Sequence, residues 1–245
     1  MSKTVILIPS RLSATRLPGK PLLKINGISI ISHVVKKAKD ADIGEVYVAT
    51  EDKDIVDDVN LNGGKAILTS NKHKTGSDRI FECFEKLDLK DIDYVINLQG
   101  DEPNIDIDDL KHLNKLIKLN KPEIGTLASK IQDKSNLNNE NIVKVITDKK
   151  IDDENFPIAL DFKRIVDNLN LNIYHHLGVY AYKPNVLKKI IELKQTNNEI
   201  KNRLEQLRAM ENRIKINVAL AKFSPIGVDT MEDYLALKKN LEYKS

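Results

Sequence analysis

Cysteine is almost missing from this chain: Cys83 is the one such residue among 245. A single cysteine excludes an internal disulfide and any cysteine-based zinc site. It falls in IFECFEKL, a helical pattern, where it reads as a small core residue. Aromatic residues make up only 5% of the chain, too few for a nucleic-acid face that interleaves cations with stacking rings. Charge is nearly balanced: Lys+Arg 39 against Asp+Glu 36 leaves a net charge of +3, and the lysines are scattered, so a polyanionic partner is not indicated. No apolar run approaches the ~20 residues of a membrane span. The start, MSKTVILIPSR, has no apolar stretch long enough for a signal peptide. A cytoplasmic protein with no nucleic-acid or membrane partner is therefore expected. The patterns GxxxxGK[ST], GxGxxG and GxSxG are all absent, which removes support for a P-loop ATPase, a dinucleotide dehydrogenase and a serine hydrolase. What remains is 41% hydrophobic and 31% charged, ordinary for a globular protein and long enough for one large α/β domain or two small ones.

The most informative stretch is the first one. Thr4 to Pro9 is a short run of aliphatic and β-branched residues, the pattern of a buried strand. It empties into RLSATRLPGKPL, in which Arg11, Arg16 and Lys20, with the hydroxyls of Ser13 and Thr15, surround Pro18-Gly19. α/β folds hold polyphosphates in such loops, because backbone amides face the oxygens and cations cancel their charge. The alternative is an ordinary basic turn.

Strand-like and helix-like segments alternate through the first half. ISIISHVVKKAKDA and DKDIVDDVNLNG read as helices around the strand EVYVAT. KAILTS reads as a strand, GSDRIFECFEKL as a helix with Ser77 as N-cap, DYVINLQGDEP as a strand ending in an acidic turn, and IDDLKHLNKLIKLN as a helix. This order predicts crossover connections, a mostly parallel sheet and ligands at the strand C-terminal ends. Further on, IGTLASKI, IVKVITD, HHLGVYAY and IKINVALA read as strands, with helical stretches over Asn185–Leu193 and Glu199–Glu211. Lys149–Asn172 is polar and reads as a loop or small lobe, and Asp133–Asn141 as a surface turn.

Four motifs carry candidate chemistry. In NLQGDEP, an apolar strand delivers Gln99, Gly100, Asp101 and Glu102 to one point. Carboxylates there suit Mg²⁺, which takes one or two of them together with substrate phosphate oxygens. The competing role is an acidic turn before a helix N-terminus. In PIGVDTMEDY, Asp229 precedes a helix with Thr230 as a possible cap; it is either part of that capping pattern or a second metal ligand. In HKTGSDR, Lys74, Gly76, Ser77 and Arg79 suit nucleotide contact at a helix N-terminus, or a capped helix start with a solvated arginine. His175 and His176 open a strand on opposite faces, so at most one enters a pocket. In NRLEQLRAMENR, Leu204, Leu207 and Met210 form an apolar stripe, while Arg203, Glu205, Gln206 and Arg208 occupy the other faces and read as solvated.

Taken in order, RLSATRLPGKPL, HKTGSDR, NLQGDEP, HHLGVYAY, LEQLR and PIGVDTMEDY resemble the 3-deoxy-manno-octulosonate (Kdo) cytidylyltransferases, over about Val5 to Tyr234. The resemblance implies an α/β, Rossmann-like nucleotidyltransferase fold: a mostly parallel mixed sheet flanked by helices. It implies one domain over residues 1–245, with a small dimerisation subdomain roughly within 142–220, and a cytoplasmic homodimer. The implied reaction is CTP + Kdo → CMP-Kdo + diphosphate, serving lipopolysaccharide biosynthesis, with Mg²⁺ as cofactor. Residue by residue, it implies that Arg11, Ser13, Arg16 and Lys20 hold the triphosphate and that Arg79 and Gln99 line the nucleotide and sugar pocket. Asp101 and Asp229 become metal ligands. His176, Glu205 and Gln206 face the sugar acid, Arg164 matches the family's sugar-side arginine, and Arg11, Lys20 and Asp101 are the catalytic set. The chain departs from the family at IALDFKRIVDNLNLNIYHHLGVY, where prolines are missing and the connection is shorter. A modified sugar such as 8-amino-Kdo, its ammonium complemented by Asp161, or another 2-keto sugar acid is the alternative substrate. A catalytically inactive regulatory homologue is the remote alternative, against which Arg11, Lys20, Asp101 and Asp229 speak.

Overall fold

Lys3–Ser10 forms β1 in the computed structural model of the chain, which describes residues 3–13, 16–166, 172–224 and 227–242. The chain divides into two compact units, residues 1–110 with 225–245, and residues 111–224. In the first unit, β1 is followed by a hairpin of β2 (Lys24–Ile25) and β3 (Ile28–Ser29), whose turn residues Asn26 and Gly27 both have positive φ. Asn-Gly is the favoured pair for such a two-residue turn. Then come α1 (Ile30–Asp40), β4 (Glu45–Thr50), α2 (Lys53–Leu61), β5 (Ala66–Leu68), α3 (Gly76–Leu87) and β6 (Ile92–Asn97). The strands lie in the order β6-β1-β4-β5, all parallel. Val5, Ile6, Leu7 and Ile8 are wholly buried, because parallel strands covered on both faces read as continuous apolar runs. The helix starting after HKT is capped by Thr75, not by Ser77. Thr75 Oγ1 accepts from the Asp78 amide and Asp78 returns the bond to the Thr75 amide. That reciprocal pair satisfies two orphan amides at once, and Ser77 is instead buried in the first turn.

The helix α4 (Ile107–Asn120) leads into the second unit. Its strands are β7 (Ile124–Lys130), β8 (Lys144–Thr147), β9 (Ala159–Lys163), β10 (Asn172–Tyr182) and, near its end, β11 (Ile216–Ala221). β7 pairs with β11 in parallel and with β10 antiparallel, while β8 joins β10 to β9. Lys149–Asn172 is thus not all loop. It carries β9, whose Ala159 and Phe162 are buried while the apolar Leu160 is exposed and Asp161 half-buried, a short strand whose burial does not follow an apolar/polar alternation. Residues 167–171 of that segment lie outside the described residues. Asp133–Asn141 is a turn containing a 3₁₀ stretch, Lys134–Leu137, with Leu137 buried.

After α5 (Pro184–Glu192), the helical stretch expected over Glu199–Glu211 is two helices, α6 (Asn197–Asn202) and α7 (Gln206–Glu211). Arg203 breaks them with φ 54, a left-handed conformation in which no glycine signals the stop. Arg208 is also not solvated. It is 3% exposed, donates from Nε to Glu199 Oε2 at 2.8 Å and from Nη1 to the Ile190 carbonyl at 3.2 Å, and pairs with Glu199 Oε1. Packing of α6 against α7 turned a face that helical period left to solvent into an interior one.

The C-terminal α8 (Met231–Glu242) returns to the first unit. Tyr234 and Leu237 pack with Leu17, Ile25, Ile30 and Val228 in one apolar cluster, and the Tyr234 hydroxyl donates to the Lys24 carbonyl at 2.7 Å. Thr230 caps the helix by exchanging bonds with Asp233. This anchorage delivers Asp229.

Candidate active site

An open pocket of ≈ 390 Å³ lies in the first unit at the C-terminal ends of its strands. Its first wall is the loop after β1. The Leu12 amide donates to Asp52 at 2.8 Å and the Gly19 amide to the Leu12 carbonyl at 2.9 Å, which closes the loop on itself. Gly19 has φ 72, a conformation nearly free for glycine and strained for other residues, and it turns the chain into the 3₁₀ turn Lys20–Leu22. Arg11, Arg16 and Lys20 thereby line the pocket. Ser13 sits exposed on the same loop, outside the pocket lining, and Thr15 lies outside the described residues.

The second wall follows β6. A Cβ on Gly100 would stand 2.9 Å from the Pro9 carbonyl oxygen, so only glycine lets this turn approach the end of β1 so closely. Gln99, Gly100 and Asp101 line the pocket here. The Val228 amide donates to the Asp101 carbonyl at 2.9 Å, which ties in the segment carrying Asp229. The two carboxylates meet on one cation. Lys20 Nζ donates to Asp101 Oδ2 at 2.6 Å, to the Val228 carbonyl at 2.7 Å and to Asp229 Oδ1 at 3.2 Å. Arg16 reaches Asp229 Oδ2 at 2.9 Å. Negative charge is concentrated enough to act on a neighbour: burial, reinforced by Asp101 and Asp229, pushes the Glu102 carboxyl up to about 8.

The third wall is the turn before α3, with His73, Lys74, Thr75, Gly76 and Arg79. Arg79 is no solvated cation. It is 3% exposed, pairs with Glu51, and donates to Thr69 Oγ1 at 2.8 Å. A short, desolvated pair of this kind stiffens the pocket rim between β4 and β5. Glu51 and the His73–Glu82 contact escaped the sequence reading, because neither pair is held at a spacing that any local period produces.

The remaining candidates lie in the second unit. His175 and His176 belong to different networks, as adjacent strand residues must: His175 Nδ1 is 2.6 Å from Ser224 Oγ, and His176 Nε2 is 3.1 Å from Thr126 Oγ1. Thr126 donates to the Val179 carbonyl at 2.7 Å, so it accepts from His176. The His176 ring also meets Phe162 edge-on at 5.0 Å. Burial, with a smaller push from His175, lowers its pKa from 6.5 to about 3. The folded state therefore binds fewer protons than the unfolded chain between those values. Stability from this group is whole above pH 6.5 and falls on acidification toward pH 3, by about 1.4 kcal/mol per unit. A His176→Phe variant is expected to show a shallower acid loss of its urea midpoint; equal slopes for variant and wild type would overturn this. Glu205 and Gln206 are half-buried at the start of α7. Arg164 donates to three carbonyls, those of Asn202 at 2.8 Å, Glu140 at 2.8 Å and Arg203 at 3.2 Å. Asp161 is paired with Lys163 at 3.1 Å.

A profile of the cytidylyltransferase family matches residues 5–216. The chain belongs to the cytidylyltransferase family. It is 41% identical to the 3-deoxy-manno-octulosonate cytidylyltransferase of Thermodesulfovibrio yellowstonii, over 97% of this chain and 98% of that one. It is likewise 41% identical to the enzyme of the same name from Nitrobacter winogradskyi, over 95% of this chain and 91% of the other. The solved structure of a CMP:2-keto-3-deoxy-manno-octonic acid synthetase complexed with CTP matches this cytidylyltransferase with a TM-score of 0.90 and 35% identity, covering 100% of both chains. UDP-glucose pyrophosphorylase matches at TM-score 0.73 with 16% identity and shares the fold alone. The family read from the motifs is thus the one found, and so is the nucleotidyltransferase fold. Among the described residues, no helix of the cytidylyltransferase is long and apolar enough to cross a membrane.

Proposed function

We propose that this chain transfers CMP from CTP to the anomeric hydroxyl of Kdo and releases diphosphate, for lipopolysaccharide biosynthesis. The observation that carries the reading is the meeting of Asp101 and Asp229 on Lys20 Nζ, in a pocket walled by Arg11 and Arg16. The sugar oxygen attacks the α-phosphorus, the bond to the β-phosphate oxygen breaks, and the hydroxyl proton leaves to solvent. Both substrates are anions and repel each other. Arg11, Arg16 and Lys20 offset that repulsion and hold the triphosphate in line. Lys20 moves between partners: without nucleotide it neutralises the two carboxylates, and with nucleotide its ammonium serves the phosphates.

Two carboxylates sharing one compact cation also form a donor set that fits Mg²⁺; Asp101 and Asp229 would hold it. When bound, the ion lowers the charge on the transferring phosphoryl group and favours the ionised sugar hydroxyl. In this reading, Gln99 lies between nucleotide and sugar, and His176, Glu205, Gln206 and Arg164 belong to the sugar side. Burial keeps His176 uncharged, and its one N–H is given to Thr126 Oγ1, so its part on the sugar side is packing and not hydrogen-bond donation. Kdo is favoured over 8-amino-Kdo, since Asp161 already carries Lys163. The chain is read as a cytoplasmic homodimer, supported by exposed apolar Leu160 and Ile200 in the second unit.

Diphosphate release over a panel of nucleotides and sugar acids tests the reading. Release is expected with CTP, Kdo and Mg²⁺ together, and a chelator is expected to abolish it. No release with any sugar acid would defeat the proposal, and equal rates with Kdo and 8-amino-Kdo would defeat the choice of sugar. Sedimentation as a single copy would defeat the dimer.

A further inference from the structure

Asp52 stands at the N-cap of α2, with φ −99 and ψ 120, and its carbonyl accepts from the Val56 amide at 3.2 Å. An aspartate in that place ordinarily turns its carboxylate back to the amides of its own first helical turn. Asp52 makes no such bond. Its Oδ2 accepts instead from the Leu12 amide at 2.8 Å, 40 residues earlier in the chain. The helix forgoes its side-chain cap, and departures of this kind from local preference mark sites where another demand prevails.

That demand comes from the loop after β1. Its described residues, 11–13 and 16–19, belong to no strand or helix, so no ladder fixes them. Leu12 is clamped on both sides, its amide by Asp52 and its carbonyl by the Gly19 amide at 2.9 Å. Arg11 and Ser13 flank Leu12, and Lys20 follows Gly19. Asp52 is itself firmly planted. Its amide donates to Thr50 Oγ1 at 3.1 Å. Thr50 is wholly buried at the end of β4, in register with Ser10 of β1, and its carbonyl accepts from the Thr69 amide after β5 at 2.7 Å. One hydrogen bond thus ties the cationic loop to the rigid end of the sheet. The Leu12–Gly19 bond carries that tie on to Lys20, whose Nζ meets Asp101 and Asp229.

We propose that Asp52 is a positioning residue for the nucleotide's triphosphate: by holding the Leu12 amide it presets the loop, so that Arg11, Arg16 and Lys20 converge before the anion arrives. Asp52 acts through the Leu12 backbone and is not among the residues that line the pocket. Without its bond the ligand would have to order the loop, and the cost of that ordering is subtracted from affinity. The inference rests on the reading of the chain as a CTP-dependent enzyme.

Three variants of the full chain separate this role from helix capping. Asp52→Ala removes the loop anchor and any cap. Asp52→Ser supplies a good cap for α2, but its hydroxyl, one bond shorter, does not span to Leu12. Asp52→Asn keeps an oxygen acceptor at the same reach. The measurements are kcat, KM for CTP and KM for Kdo with Mg²⁺, calorimetric affinity for diphosphate, and the thermal midpoint. D52A and D52S are expected to raise KM for CTP and weaken diphosphate binding about tenfold, the scale of one hydrogen bond to a charged group, with KM for Kdo within about twofold of wild type. D52N is expected to stay within about threefold of wild type throughout. Wild-type CTP and diphosphate binding in D52S overturns the proposal, because capping alone would then account for Asp52. An unchanged KM for CTP in D52A, an equal rise in KM for CTP and Kdo, or a D52N variant as impaired as D52A overturns it as well. If D52A does not fold, D52S against D52N decides. A wild-type chain that releases no diphosphate from CTP with any sugar acid defeats the CTP-dependent reading, and diphosphate binding across the variants still reads the role of Asp52.

Discussion

Asp101→Asn is expected to lower diphosphate release by at least about a hundredfold at saturating CTP, Kdo and Mg²⁺, the scale of losing one group aimed at charge that develops in a transition state. The substitution keeps the side-chain volume and one oxygen but removes the charge opposite Lys20 Nζ, 2.6 Å away. Two effects add. The ammonium loses its closest partner, and the pair of carboxylates that would hold the ion becomes a single one, Asp229. The fold should survive. The Asp101 side chain is one-third exposed, the Asp101 carbonyl still accepts from the Val228 amide, and ion pairs this open contribute about 1 kcal/mol or less. Circular dichroism and the thermal midpoint check the fold, and calorimetry with Mn²⁺ checks the ion separately from turnover. Activity retained at saturating Mg²⁺ would sink the assignment of Asp101.

The largest stability effect is expected at Arg208. Arg208→Met should cost about 3–5 kcal/mol, because it strands the Glu199 carboxylate in a site where both side chains are 4% exposed. Glu199 keeps its bonds from the Thr196 amide at 3.2 Å and from Gln195 Nε2 at 3.1 Å, but these neutral donors do not balance a buried charge. The double variant Glu199→Met with Arg208→Met should recover much of the loss, since replacing both partners of a buried pair by apolar side chains is often neutral. Urea midpoints of the two single variants and the double variant measure this. A loss below about 1 kcal/mol in R208M would mean that the pair is not buried in solution.

The parts that could be read along the chain share one property: each is set by neighbours in sequence. The Val5–Ile8 run names a buried strand, Gly19 and Gly100 name turns, and Thr230 names a cap. The cationic loop and the acidic turn were legible as chemistry for the same reason, since residue type and a strand end suffice to suggest phosphate and metal. Some local signals were misread: Thr75, in a capping box with Asp78, supplies the N-cap that was expected of Ser77. Other features carried no local signal at all. Lys144 is wholly buried with its Nζ donating to the carbonyls of Asn139 at 2.9 Å and Ile142 at 2.7 Å, and to that of Arg164. A lysine satisfied by backbone oxygens looks like any other lysine in the chain.

By itself the sequence determined the alternation of strands and helices, the loop that carries Arg11, Arg16 and Lys20, and the family to which the motifs belong. Only the tertiary structure decided that Asp101 and Asp229, 81 and 209 residues from Lys20, share its ammonium, that Arg208 faces inward, and that Glu82 holds His73 at the pocket wall. The physical reason is range. Period, capping and turn chemistry act over a few residues, whereas charge pairing and burial depend on distances in space, which the packing of whole elements sets.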